Sequence, residues 1–172
     1  MASNKLLRFL ILVSVFHVKL ISLNNHHCSE RKQALEQFYE KWKHEPLVVN
    51  KWLHLQASSG LSTTLDTVKR LISHPSFDIL NPNNVYALLV GFGANTVRFH
   101  DSSGVAYQFL ADQVIAIDAA NPQVAARVLQ PLIRWKQLDK MRCEKMREQL
   151  ARIVAVESLS PDVYELASKG LA

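Results

Sequence analysis

The side chains of this chain that could do chemistry do not form any complete catalytic or metal-binding pattern. His44-Glu45 resembles the start of a His-Glu-x-x-His zinc helix, but the second histidine position holds Val48, and Pro46 would break the helix. The stretch His26-His27-Cys28 lacks the second ligand pair that a zinc site requires. Residues 100–103 place histidine, aspartate and serines side by side, which is typical of loop capping. We therefore expect no catalytic residue and no metal ligand set.

Arg127 is the charged side chain best suited to contact a ligand. It follows Ala125-Ala126, precedes Val128 and lies in an otherwise mostly apolar segment. A guanidinium in such a place either forms a structural ion pair or binds a carboxylate of a ligand. The residues alone leave both roles open.

Helices are expected to position these residues. Apolar side chains recur with helical spacing, and the alternation of apolar and polar residues that is typical of strands is absent. Leu35, Phe38, Tyr39 and Trp42 form one such stripe. The pattern predicts an all-α fold of about eight helices with short connections, packed as antiparallel pairs in an irregular stack that resembles an ARM or HEAT superhelix. No repeat of fixed period is present.

Caps and helix breakers set the expected boundaries. Asn83 or Asn84 is expected to cap a helix that Gly91 and Gly93 stop, and residues 95–104 are expected to form an ordered loop anchored by Phe99. Further along the chain, the expected signals are an N-cap with a first-turn proline at Asn121-Pro122, a kink or break at Pro131, and a second cap at Ser160-Pro161.

The positive charge of the chain does not predict nucleic-acid binding. Lys5, Arg8 and Lys19 supply three of the five net positive charges, so the residues after position 28 carry only +2. The basic stretch at 134–147 is interleaved with acids, and Glu148 and Arg152 have the spacing of an ion pair within one helix. This pattern favours a solvated helix face over a patch that contacts a partner.

Residues 1–28 differ from the rest, which gives two expected parts: an apolar leader over 1–28 and a helical domain over 29–172. Lys5 and Arg8 precede the apolar run Phe9–Phe16, as in a signal peptide, but no Ala-x-Ala cleavage pattern follows. A targeting or anchoring segment, a wrongly joined gene start and a helix of the domain remain alternatives. Membrane attachment is expected only if residues 1–23 form a genuine anchor. Two isolated cysteines fit a reducing, cytoplasmic setting.

Several segments resemble, in the same order, the C-terminal helical domain of the aminopeptidase N (alanyl aminopeptidase) family of zinc metallopeptidases. They are 34–42, 47–52, 81–83, 99–100, 104–110, 121–125 and 142–146. Two more segments, 84–86 and 165–172, lean toward a plant-like branch, for which a plastid is a possible location of the parent enzyme. The resemblance covers residues 29–172.

The resemblance implies a domain that caps the active-site chamber of a peptidase and helps to bind the peptide substrate. Its partners would be the catalytic domain and the peptide. The zinc and its ligands would lie upstream, in the parent enzyme, so this chain alone is expected to be non-catalytic. Arg127 corresponds to a substrate-facing arginine of the family, and Tyr86 stands where some members have a second arginine. The alternative is a free-standing helical protein-interaction module.

Overall fold

The computed structural model describes residue 18 and residues 20–172, and every regular element in this part of the chain is a helix. The all-α prediction is therefore confirmed. Residues 20–23 are helical and precede the numbered elements. These are α1 (Ser29–Trp42), α2 (Pro46–Ala57), α3 (Thr64–Ile72), α4 (Pro82–Val85), a π-helical segment (Tyr86–Val90), α5 (Gly91–Gly93), α6 (Thr96–Phe99), α7 (Val105–Asp118), α8 (Pro122–Ile133), a short 3-10 turn (Trp135–Gln137), α9 (Lys140–Val154) and α10 (Pro161–Leu171).

Neighbouring helices in the chain pack on one another, as in a stack of ARM-like units. In the first half, α2 contacts α1, α3 and the π-helical segment. In the second half, α7 packs along α8, α9 contacts both of them, and α10 packs on α8 and α9. Each unit covers an apolar face that its neighbour leaves open, so the core runs through the whole stack.

Aromatic side chains fill the centre of the stack. Phe92, Phe99 and Tyr107 are fully buried, and their rings meet edge to face at centroid distances of 6.0 Å (Phe92–Phe99) and 5.2 Å (Phe99–Tyr107). Phe99 is thus the apolar anchor expected from the sequence. The segment around it differs from a plain loop, because its residues 96–99 form the short helix α6.

Gly91 and Gly93 do not stop the helix as expected. The chain stays helical from Pro82 to Gly93, through α4, the π-helical segment and α5. A Cβ on Gly91 would lie 2.6 Å from Nδ1 of His54, and a Cβ on Gly93 would lie 2.5 Å from Cγ of Pro131. Both glycines permit a close approach between helices, and neither adopts a positive φ, which within the described residues only Gly104 does.

The helix ends follow from local side-chain chemistry. Asn121 and Ser160 cap α8 and α10 through their side-chain oxygens, as predicted. Asn81, and not Asn83 or Asn84, caps α4, since its side chain accepts from the Asn83 N–H. Helix α8 continues through Pro131 and ends two residues later.

Residues before position 29 pack into the same core. Leu20 is 1% exposed, and the Asn24 side chain donates to the Leu55 carbonyl at 2.8 Å. Asn25 accepts from the Gly60 N–H at 2.7 Å. Some of residues 20–28 therefore contact the helical stack. Residues 1–17 and 19 of the leader predicted over 1–28 lie outside the described residues, so the division at residue 28 and the origin of the leader stay predictions.

In the part of the chain that the structure describes, the helices are too short or too polar to cross a bilayer.

Candidate functional site

Helix α8 places Arg127 on the surface of the stack. Asn121 caps the helix by accepting from the Val124 N–H at 3.1 Å, and the fixed φ of Pro122 suits the first turn. Val124 and Val128 are buried on the inner face of the helix, while Arg127 is exposed. The amphipathic pattern of α8 is therefore what directs this guanidinium outward.

The π-helical segment presents Tyr86 to Arg127. Tyr86 is the first residue of that segment and is half-buried, while Leu88 and Leu89 of the same segment are fully buried. The guanidinium carbon of Arg127 lies 5.1 Å from the centroid of the Tyr86 ring, which is cation–π distance. The two residues expected to bind substrate thus lie together, although they are far apart in the sequence.

A buried amide holds the base of this segment in place. The Asn84 side chain, 6% exposed, accepts from the Asp78 N–H at 2.9 Å and donates to Asn50 on α2 at 2.7 Å. These bonds join the loop before α4 to α2, and they fix the turn from which Tyr86 projects. The sequence does not predict this role of Asn84, because an asparagine in a cap-rich stretch looks like another cap.

Arg127 carries a charge that no carboxylate in the described part of the chain offsets. The ion pairs there join Lys32–Glu36, Lys43–Glu40, Arg142–Asp139, Arg152–Asp112 and Lys169–Glu165. Of the two roles left open by the sequence, the structural ion pair is therefore not formed within these residues. Within the same residues its five N–H groups make no hydrogen bond, so they are open to a ligand above the tyrosine ring.

The zinc that the resemblance implies for a parent enzyme does not fit this chain. Within residues 18 and 20–172, no group of three or more histidine, cysteine or acidic side chains lies close enough to hold a metal ion. His44 lies in the turn before α2, with Glu45 at the N-cap position and Pro46 in the first helical turn. The near-match to a zinc helix at residues 44–48 is therefore the start of an ordinary structural helix.

The helical stack belongs to the class of ARM-repeat-like domains. A family model described as "Domain of unknown function (DUF3458_C) ARM repeats" matches residues 18–172. The chain therefore belongs to this family, which is that of the C-terminal helical domain of aminopeptidase N, and the resemblance seen in the sequence is confirmed.

Individual relatives agree with this assignment. The chain is 45% identical to aminopeptidase N of Caulobacter vibrioides over 142 residues, and 41% identical to that of Escherichia coli over 143 residues. These alignments cover 82% and 83% of this chain, but only 16% of each relative. Both relatives are bacterial, so they give no support to a plant-like branch.

A solved structure has the same fold. The aminopeptidase A of Legionella pneumophila, described in complex with aspartic acid, matches with a TM-score of 0.86 and 37% sequence identity. The match covers 90% of this chain and 18% of that one. The chain thus spans less than a fifth of the length of the relatives that it resembles.

Proposed function

We propose that this chain serves as the substrate-chamber cap of a zinc aminopeptidase, which removes N-terminal residues from peptides. In this role it packs on a catalytic domain and offers Arg127, supported by Tyr86, to the far end of the peptide. The chain by itself does not hydrolyse peptides, because the sequence holds no His-Glu-x-x-His motif.

The observation that carries the proposal is the arrangement of Arg127 over Tyr86. An exposed guanidinium with no ion pair in the described residues is free to bind the terminal carboxylate of a peptide with paired N–H groups. The tyrosine ring below it limits the conformations of the arginine side chain.

The contact with substrate can be tested by NMR on the full chain with labelled arginine side chains. Tetra-alanine with a free carboxylate, added at millimolar concentration, should shift the Arg127 Nε–Hε signal. Tetra-alanine amide should not. An equal shift with both peptides, or no shift with either, would contradict the proposed carboxylate contact. Arg127→Gln assigns the signal, and Arg134→Gln is the matched control because Arg134 is another exposed arginine outside the ion pairs named above.

The absence of activity in the isolated chain has its own test. The purified 172-residue chain, incubated with zinc and an alanyl fluorophore, should release no fluorophore above the rate of buffer with zinc. Zinc-dependent release that persists in independent preparations would refute this part of the proposal.

The alternative function is a free-standing helical interaction module. It is favoured by large apolar side chains left exposed on the described surface, among them Leu47 at 76%, Leu80 at 65% and Val97 at 64% exposure. Analytical ultracentrifugation of the full chain tests whether this apolar surface is an interface. Self-association at micromolar concentration supports an uncovered interface, and a monomer at all concentrations argues against one.

We also propose a reducing, cytoplasmic setting for this protein. The support is chemical, since Cys28 and Cys143 are both free. Detection of the native protein in a membrane or secreted fraction would contradict it.

A further inference from the structure

A groove of about 730 Å³ lies between α1 and α3, with α2 beneath it. Neither Arg127 nor Tyr86 lines it. Its volume falls within the range of ligand-binding pockets, about 300–1,000 Å³. The groove is therefore a second candidate binding surface, separate from the proposed substrate contact.

Three rings form an aromatic cluster in the wall of the groove. Tyr39 of α1 lies 4.8 Å from Trp52 of α2 and 4.9 Å from His74, measured between ring centroids, and Trp52 and His74 are 5.2 Å apart. The cluster is tied together because the hydroxyls of Tyr39 and Ser76 are hydrogen-bonded at 2.6 Å and the Ser76 N–H donates to His74. It offers a rigid surface for an apolar or aromatic side chain of a ligand.

The charges around the groove are mostly positive. Arg31, Lys32 and Arg70 line it, and Glu36 is its one acidic lining residue within the described part of the chain. Glu36 is already 4.0 Å from Lys32, in an exposed pair. The two arginines therefore remain without a carboxylate among the described residues, which favours an anionic occupant.

Arg31 is held in position before any ligand arrives. Its Nε donates to the Asn24 carbonyl at 3.1 Å, and its Nη2 donates to the Asn24 side-chain oxygen at 3.4 Å. Burial lowers the pKa of this half-buried guanidinium. A carboxylate that bound in the groove would offset a charge that the described residues leave uncompensated.

Gln56 adds an acceptor to this cationic wall. The residue is 7% exposed and lines the groove, and its Nε2 donates to the Trp52 carbonyl at 3.2 Å. Its Oε1 has no hydrogen-bond partner among the described residues, so it can accept an N–H from a ligand. An acceptor oxygen repels phosphate oxygens and suits the N–H of a peptide backbone.

From these features we infer that the groove binds an acidic peptide segment of a partner protein, with an apolar or aromatic residue at its centre. The central side chain packs on the rings of Tyr39 and Trp52, a backbone N–H donates to Gln56, and flanking carboxylates pair with Arg31 and Arg70. A polyphosphate would match the cations but would leave both the rings and the Gln56 acceptor unused.

Fluorescence anisotropy with the full chain tests this assignment. The probe is a fluorescein-labelled peptide, Asp-Glu-Phe-Leu-Glu-Asp. Two comparison peptides replace its acids by Asn and Gln, or its Phe-Leu by Gly-Ser. The acidic peptide with the apolar centre should bind most tightly, and its affinity should fall as salt is raised. Equal binding of all three peptides, no binding of the first, or stronger competition by polyphosphate overturns the inference.

Substitution of Arg70 locates the binding to the groove. Arg70 is exposed, and its only side-chain bond within the described residues is a local one to Thr67, so Arg70→Gln should fold normally. It should raise the Kd for the acidic peptide about tenfold, as expected for loss of a charge-assisted contact. Arg134→Gln, with the same change in charge outside the groove, should have no effect. Equal effects of the two variants would show that only overall charge matters and would refute the groove as the site.

Discussion

Replacement of Gly93 by alanine tests why a glycine stands in this helical stretch. An added Cβ would lie 2.5 Å from Cγ and 3.3 Å from Cβ of Pro131 on α8. Ordinary carbon–carbon contacts are about 3.5–4.0 Å, so α5 and α8 would have to move apart by about 1 Å. Because the proline ring cannot rotate out of the way, the backbone itself must shift.

The expected cost can be worked out from two opposing effects. Overpacking costs about 1–3 kcal/mol, and replacing glycine by alanine in a helix returns up to about 1 kcal/mol. We expect Gly93→Ala to lower the free energy of unfolding by about 1–2 kcal/mol, which corresponds to a fall in Tm of about 2–8 °C for a domain of this size.

Urea unfolding of a double-mutant cycle with Pro131→Ala measures the contact directly. The second change removes the ring carbon nearest to the new Cβ, so the double variant should recover at least about 1 kcal/mol relative to the sum of the single effects. Gly60→Ala is the control. Its added Cβ would lie 3.2 Å from the end of the Asn25 side chain, so it would not meet a rigid ring. If Gly93→Ala is as stable as the parent chain in both backgrounds, close packing is not the reason for this glycine.

Three further predictions concern buried polar groups and the proposed site. Asp118→Ala removes the acceptor of the Ser160 N–H and hydroxyl, so thermal or urea unfolding should show a loss of about 2–3 kcal/mol, larger than that of Ser160→Ala. Burial, and then the charge of Arg142, lower the pKa of His100 below its ordinary 6.5, so the unfolded chain binds more protons and stability should fall as pH drops from 6.5 through the folded pKa. His100→Gln should reduce the difference in Tm between pH 7.5 and pH 5.5, and an unchanged difference would contradict this. Arg127→Gln should alter the unfolding free energy by less than about 1 kcal/mol, because an exposed cation–π contact contributes no more.

Local sequence signals predict the features whose chemistry lies within one helical turn. The spacing of Leu35, Phe38 and Trp42 identifies the buried face of α1, and Asn121 and Ser160 are recognisable as caps because the N–H groups from which they accept are three residues away. The all-α class follows from the same periodicity.

Features that depend on contacts between distant segments could not be predicted in this way. Gly93 looks like a helix stop in the sequence, and only the approach of Pro131 explains it. The spacing of Arg152 and Glu148 predicts a pair within one helix, but Arg152 pairs with Asp112 on α7 at 2.7 Å. The position of Arg127 over Tyr86, and the groove formed by three helices, arise from the stacking of units and leave no local trace.

The fold does not account for the identity of Arg127, and this is the strongest reason to assign it a function. Its neighbours Val124 and Val128 hold α8 in the stack, and a residue on the outer face can be almost any polar side chain without loss of packing. A guanidinium placed there loses side-chain freedom on the Tyr86 ring and gains no ion pair within the described residues. Asn84 meanwhile uses a buried amide to fix the segment that carries Tyr86. This arrangement supports the proposed carboxylate contact of Arg127, because a solvated helix face needs neither the ring nor its support.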